Sequence, residues 1–303
     1  MTWKRVATAA VLIPVVVMLV LYTTTVVVAV ATAIITVLAL WEYFALGDAI
    51  GHRAYRLWTM FCAVLLVGSQ WLESRSQEIL GWPGPASDSL HRFFPAILEL
   101  PSTVLFVFVL GMTALMLWTK RPLVEALPAA GISSSGLLLV ALPLSYAVRL
   151  HNSPLGFGPV LLLFALVITW TGDTTAYFVG RAVGKHPLAP HISPKKTWEG
   201  AIGSIVGSLV AAAFFGALSN RWVNPQWAHT FSPMPQFLIM GFLGNIAGQM
   251  GDLLESAYKR SAGVKDSGGL LPGHGGVLDR IDALILCIPV IWYYLVLVNP
   301  VAL

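Results

Sequence analysis

The chain has 303 residues, of which 57% are hydrophobic and only 11% charged. A soluble globular domain carries about 25% charged residues, so this composition excludes an ordinary soluble enzyme, a disordered chain and a secreted disulfide scaffold. The net charge of +4 is small, and its placement along the chain says more than its size.

A hydrocarbon core about 30 Å thick is crossed by about 20 apolar residues in a helix. Runs of that kind fall near residues 6–21, 25–46, 55–72, 101–118, 131–149, 157–172, 201–218, 236–251 and 281–298. Lipid cannot satisfy exposed backbone groups, so the runs predict an all-α polytopic membrane protein with about nine spans. The first run follows Lys4 and Arg5, as in a signal peptide. Its length and the spans that follow at once predict a retained first span instead. A tight turn among Thr23, Thr24 and Thr25 leads to the second. Glu73 to Leu100 is the longest polar stretch, and Trp82-Pro83-Gly84-Pro85 breaks any helix there. Leu90, Phe93, Phe94, Ile97 and Leu98 then recur at helical spacing and predict an interfacial lead-in to the fourth span.

Lys and Arg placement gives the orientation. With the N-terminus inside, the inner segments hold 14 of the 18 Lys and Arg residues. The outer ones hold Arg75, Arg92, Arg149 and Arg221. That split predicts a cytoplasmic N-terminus. The expected division is residues 1–150, with about five spans, and residues 151–303, a catalytic region with cytoplasmic site loops.

Charge gathers in segments 173–199 and 252–282, which together hold seven of the 14 carboxylates and eight of the 18 Lys and Arg residues. Ionisable groups bordering lipid are costly, so they mark a candidate site. If residues 251–260 are helical, Asp252, Ser256 and Lys259 or Arg260 share one face; a solvated helix end accounts for that face equally well. The stretch Lys265-Asp266-Ser267-Gly268-Gly269-Leu270-Leu271-Pro272-Gly273-His274-Gly275-Gly276 cannot be regular helix. Its glycines permit close backbone approach, and successive N–H groups in such a loop can cradle anionic oxygens. Asp279-Arg280-Ile281-Asp282 opens the ninth span with two carboxylates on one face. Helix capping is one reading of that pair. The other is a divalent cation, because Asp252 can approach the same point and hard oxygen ligands suit Mg²⁺ with phosphate.

Upstream, Gly180 to Lys185 invites a P-loop reading that fails on spacing and on His186, which stands where Ser or Thr is needed. Lys195 and Lys196 stand beside hydroxyls at a helix start, which suits phosphate capture or a positive anchor for the seventh span. His274 sits in the glycine loop and can reach phosphate, while His186 and His191 read as solvated. No histidine spacing suits zinc, and Cys62 and Cys287 lie in apolar runs that offer no disulfide or zinc framework. Gly203 with Gly207, and Gly244 with Gly248 flanked by Gly241 and Gly251, read as helix-packing faces.

Ser256 to Arg260, then Lys265-Asp266, then Leu271 to Asp282 together resemble the signature of the phosphatidate cytidylyltransferases, or CDP-diacylglycerol synthases. Ser193-Pro194-Lys195-Lys196-Thr197-Trp198-Glu199-Gly200 and Asp173 to Gly184 resemble that family's upstream segments. Tyr258, where an aliphatic residue or Phe is more usual, is the one departure. The N-terminal spans match only in hydrophobicity and in the Lys-Arg start. The resemblance implies CMP transfer from CTP to phosphatidate, Mg²⁺ dependence with a binuclear cation centre, and a homodimer. It implies Asp252 and Asp279 as metal ligands, with Asp282 a weaker third. Ser256, Lys259 and Arg260 match phosphate-binding positions, and Lys195 and Lys196 match nucleotide or lipid-phosphate contacts. Asp173, Lys265, Asp266, His274 and Arg280 complete the expected substrate-binding set.

Elementary chemistry agrees. Two anions that repel each other must be neutralised and aligned by cations. A lipid headgroup and a cytosolic nucleotide meet most simply at the cytoplasmic boundary of a bacterial inner membrane. CMP transfer to another lipid phosphate would use identical chemistry. A cation transporter would place its carboxylates near the bilayer midplane on broken helices, whereas these cluster at span ends. No nucleic-acid partner is expected.

Overall fold

The computed structural model describes residues 2–79, 100–153, 155–221, 233–270 and 275–298. In chain order, α1 is Thr2–Tyr22, α2 Thr25–Ala49, α3 Arg56–Ile79 and α4 Leu100–Trp118. A 3-10 turn at Leu123–Glu125 leads into α5, Ala126–Gly136, which runs through a π-helical turn at Leu137–Ala141 into α6, Leu142–His151. Then come α7, Gly158–Val183, and a hairpin of β1, Pro187–Ala189, and β2, Ser193–Thr197. The chain continues as α8, Trp198–Leu218, α9, Pro233–Ser261, and α10, Leu278–Val298.

Seven of the described helical rods, α5–α6 counted as one, are long and apolar enough to cross a membrane. Helices α1 and α3 cover the first and third apolar runs. The protein is an all-α polytopic membrane protein. The Trp82–Pro85 break and the apolar spacing at 90–98 lie outside the described residues.

Two helices outrun their apolar stretches. The runs end at residues 172 and 251, but α7 continues to Val183 and α9 to Ser261. Hydropathy marks where lipid ends, whereas a helix ends where its backbone bonding is interrupted. For α9 the interruption is Gly263, at φ +68°. Val264 N–H donates to Lys259 O and Gly263 N–H to Arg260 O, a glycine-dependent C-terminal cap. The polar tails of α7 and α9 are therefore rigid helix rather than loop.

The chain forms two units, Met1–Thr23 with Leu150–Leu303, and Thr24–Arg149. Helix α1 thus groups with the C-terminal helices. In the first unit α8 packs between α7 and α9, and α9 packs along α10. Phe164 meets Phe215 and Phe237 edge to face at 5.3 and 5.1 Å. The small-residue faces are contact surfaces. Gly203 and Gly207 of α8 lie on Val179 and Thr175 of α7, and Gly244 of α9 lies on Ile168 and Cys287. Without a hydrophobic drive between helices in lipid, such close approach supplies the van der Waals contact that holds them. In the second unit, Tyr43 and Ser135 share a hydrogen bond, Ser133 accepts from Tyr55 N–H, and Gln70 donates to Ser145.

Two glycines of α9 should respond differently to alanine. A Cβ at Gly251 would collide with the backbone carbonyl of Asp282 on α10, whereas one at Gly248 would meet Ala283 at an ordinary 3.5 Å. Gly251→Ala should cost about 1–3 kcal/mol through overpacking. Gly248→Ala should be neutral or gain up to about 1 kcal/mol of helix propensity. Thermal unfolding of the detergent-solubilised variants, with a clear drop for Gly251→Ala and none for Gly248→Ala, checks this.

Candidate active site

The polar ends of α7, α9 and α10 and the hairpin before α8 meet at one place. At the contact of α9 with α10, Gly251 lies against Asp282, so Asp252 of one helix and Asp282 of the other stand side by side. Asp282 also feels the charges of Glu255 and Asp173, so four carboxylates repel one another here. Asp252 Oδ2 pairs with Lys196 Nζ at 2.5 Å, and Ser256 Oγ donates to Asp252 Oδ1 at 3.4 Å. Asp282 Oδ1 accepts from Ala283 N–H at 2.8 Å.

A turn further along α9, Lys259 forms ion pairs with Glu255 and with Asp279, the latter at 2.6 Å. All three side chains are largely buried, Glu255 to 3% exposure. The second oxygen of Glu255, Oε1, is buried without a hydrogen-bond partner among the described residues. Asp279 is fully engaged. Its Oδ1 takes Lys259, and its Oδ2 accepts from Ser267 N–H, Ser267 Oγ and Gly276 N–H at 2.8 to 3.0 Å. This carboxylate therefore ties both described ends of the glycine loop to the start of α10.

The hairpin is anchored as firmly. Thr197 Oγ1 caps α8 by accepting from Gly200 N–H at 3.1 Å, which satisfies one of the orphan donors of a helix start. Glu199 accepts from the backbone N–H groups of Lys185 and His186 and pairs with the His186 ring at 2.6 Å. Gly180 and Gly184 make no phosphate loop. They let α7 lie against Thr197 and Gly200, where side chains would crowd. Held this way, β2 carries Lys195 and Lys196 to the rim of a cavity of about 410 Å³. Asp173, Arg181, Lys195, Lys196, Gln249 and Asp252 contribute its polar lining.

Below the cavity runs a buried polar ladder. Gln249 Nε2 donates to Asn245 Oδ1 at 2.7 Å, and Asn245 Nδ2 donates to Ser204 Oγ and Ser208 Oγ at 2.8 Å each. Ser208 in turn donates to Ile168 O at 2.7 Å. Amide and hydroxyl groups inside apolar helices are costly unless bonded; here they fasten α7, α8 and α9 together directly beneath the site.

Of the residues expected from sequence, the structure brings Asp173, Lys195, Lys196, Asp252, Ser256 and Asp282 into one neighbourhood, with Lys259 and Asp279 beside it. Arg280 is within electrostatic reach of Asp173. Arg260 turns elsewhere, donating to Ile192 O in the hairpin turn and to Val264 O. Lys265 and Asp266 are exposed in the loop and do not line the cavity. His274 lies outside the described residues. Glu255, Arg181, Gln249 and Asn245 were not anticipated. A usable signal existed for the last two, since two amides four residues apart in an apolar span are a functional flag.

No three His, Cys, Asp or Glu side chains among the described residues are grouped to enclose a metal by themselves. Mg²⁺ does not need such a cage. It takes one or two carboxylates and completes its shell with water and substrate phosphate. Asp252 and Asp282, side by side where α9 meets α10, fit that requirement.

A bundle of apolar helices with a charged cavity at its span ends defines a polytopic membrane protein with a polar site where its apolar runs end. The chain belongs to the cytidylyltransferase family, whose profile matches residues 3–298. It is 40% identical over 177 residues to a phosphatidate cytidylyltransferase of Haemophilus influenzae, covering 58% of this chain and 59% of that protein. It is 38% identical over 202 residues to one of Brucella abortus, covering 65% and 67%. With one of Bacillus subtilis it shares 36% over 167 residues, covering 55% and 58%. The matched stretch thus spans about three-fifths of the Haemophilus and Bacillus relatives.

The two lysines of the site should behave differently when neutralised. Lys259→Met leaves Glu255 and Asp279 buried without their cation and should cost about 3–5 kcal/mol of stability. The Lys196–Asp252 pair is more than a quarter exposed on each side, so Lys196→Met should cost about 1 kcal/mol or less. Thermal unfolding in detergent distinguishes them; equal losses would contradict the difference in burial.

Proposed function

We propose that the chain is a CTP:phosphatidate cytidylyltransferase, acting at the cytoplasmic face of a bacterial inner membrane. A phosphate oxygen of phosphatidate attacks the α-phosphorus of CTP. The bond from that phosphorus to the bridging oxygen breaks, and pyrophosphate leaves with the electron pair. CDP-diacylglycerol is the lipid product. The names of the relatives support the reaction. The Lys and Arg bias of the span ends supports the sidedness. The homodimer implied by the resemblance belongs to the same reading.

The observation that carries the proposal is the meeting of Lys195 and Lys196 with Asp173 and Asp252 around one cavity at the ends of apolar helices. Each reactant needs part of that arrangement. Lys195, Lys196 and Arg181 offer fixed positive charge to phosphate oxygens, and the short β2 strand holds both lysines at the rim. Asp252 and Asp282 would hold Mg²⁺, while Asp279, saturated by Lys259 and the loop, would act through the frame and not as a ligand. Mg²⁺, when bound, neutralises phosphate charge and polarises the phosphorus under attack. Ser256 orients Asp252 through its hydroxyl. Lys259 keeps Glu255 and Asp279 in place, and Asp279 fixes the loop that borders the site. No general base is required of the protein, because phosphatidate is already ionised near neutral pH.

The test is direct. Purified protein given phosphatidate and labelled CTP should form CDP-diacylglycerol and pyrophosphate in equal amounts. A chelator should abolish the reaction, and added Mg²⁺ should restore it. Asp252→Asn keeps the shape of the side chain and removes its charge, and should lower kcat about 10²–10³-fold, the scale of losing one preorganised electrostatic contact. Near-normal turnover in that variant would sink the metal assignment, and product formation with other lipid phosphates but not phosphatidate would sink the substrate assignment.

A further inference from the structure

The second unit has a cavity of its own, about 1030 Å³, lined by the C-terminal end of α2, the start of α3 and the end of α4. Arg53, Arg56 and Arg121 all border it. Arg56 is neutralised by Asp48, with which it forms an ion pair. Arg121 is held in place without a carboxylate: it donates to Arg53 O at 2.7 Å and stacks over the Tyr55 ring at 4.7 Å. Arg53 is exposed, and among the described residues neither it nor Arg121 pairs with an acidic side chain. The cavity therefore carries two uncompensated positive charges.

A second observation points to a ligand. Tyr55 lines the cavity and is 93% buried, and its hydroxyl has no hydrogen-bond partner among the described residues. A buried hydroxyl left unbonded is costly, and this one belongs to the ring that Arg121 covers, so a shift of Arg121 toward an anion would open it to donate.

The rest of the wall is apolar and fixed. Trp58 Nε1 donates to Phe108 O at 3.1 Å, and its ring lies flush on Gly111 of α4, where any side chain would overlap it. Phe61 lies one turn on, 5.7 Å from the Trp58 ring, and is largely exposed. A soluble anion would have no use for this aromatic floor. A phosphate carried on a hydrocarbon chain uses both halves.

We propose that this cavity binds a resident acidic phospholipid of the surrounding bilayer. Its phosphate sits between Arg53 and Arg121 and accepts from the Tyr55 hydroxyl, and its acyl chain lies on Trp58 and Phe61. Two unpaired guanidinium groups favour a headgroup with net negative charge over a zwitterionic one. The assignment is independent of the transfer reaction.

The full chain, stripped of lipid in detergent, is titrated with phosphatidylglycerol or phosphatidylcholine and read by native mass spectrometry. One phosphatidylglycerol should stay bound per chain, and phosphatidylcholine should not. Arg53→Gln should weaken retention about fivefold, the worth of one basic residue at an anionic surface. Tyr55→Phe should weaken it by a similar factor of about five, the net worth of one hydrogen bond, and should leave the unfolding temperature of the lipid-free protein unchanged or raised. Retention equal to wild type in both variants, equal retention of phosphatidylcholine, or full displacement of the lipid by inorganic phosphate at millimolar concentration would each overturn the proposal.

Discussion

Gly251 lies against the backbone carbonyl of Asp282, and that contact sets the register of α9 on α10. A side chain there would push the helices apart and slide Asp252 away from Asp282. With the register fixed, carboxylates from two antiparallel helices face one another at their polar ends. Their mutual repulsion is an unfavourable arrangement that the first unit sustains through contacts elsewhere. Such local cost is expected where a site must present charge to a ligand rather than neutralise it internally.

The contacts that sustain it are of two kinds. Glycine and alanine faces let α7, α8, α9 and α10 approach closely, so dispersion contact holds helices that lipid would otherwise solvate equally well. The Gln249–Asn245–Ser204–Ser208 ladder then fixes rotation, because hydrogen bonds are directional and van der Waals contact is not. Asn245 and Ser208 are almost fully buried. A helix rotated by a fraction of a turn would leave their polar atoms unpaired inside an apolar bundle. The same rotation would swing Asp252 and Lys196 apart, so the ladder protects the geometry of the cavity above it.

Much of this was legible in the sequence. Apolar run length gave the membrane class, and small residues at four-residue spacing gave the contact faces. The charge density of 173–199 and 252–282 marked the candidate site. What escaped has physical causes. The polar tails of α7 and α9 were not distinguishable from loop by hydropathy, because hydropathy reports the solvent and not the backbone. The hairpin was hidden because Ser193 to Thr197 alternates too briefly to show a period of two. Glu255 escaped because its role depends on which way it faces. It sits one turn before Lys259, and only the approach of Asp279 from α10 turns that pair into a buried trio. Asp279 and Asp282 share a helix face in sequence, yet they do separate work. One is saturated by the loop and Lys259, while the other faces Asp252.

The difference between the two lysine pairs bears on how a cavity lined by both signs of charge could receive the anions of the proposed reaction. A cation locked between two buried carboxylates cannot turn to a ligand without leaving both uncompensated, a cost of several kcal/mol. Lys259 is in that position, so its charge supports the architecture. Lys196 is not. Its partner Asp252 is partly exposed at the cavity wall, and a solvent-screened pair of this kind is worth about 1 kcal/mol or less. A phosphate group carries more charge than a single carboxylate oxygen and can draw Lys196 away at little cost. Asp252 is then left with an unpaired negative charge facing the cavity, which, on the function proposed above, is what a divalent cation accompanying a nucleotide would need. In the proposed function the weak pair at the rim would keep both its members neutralised until a ligand arrives, and the strong trio behind it would hold the frame while they exchange partners.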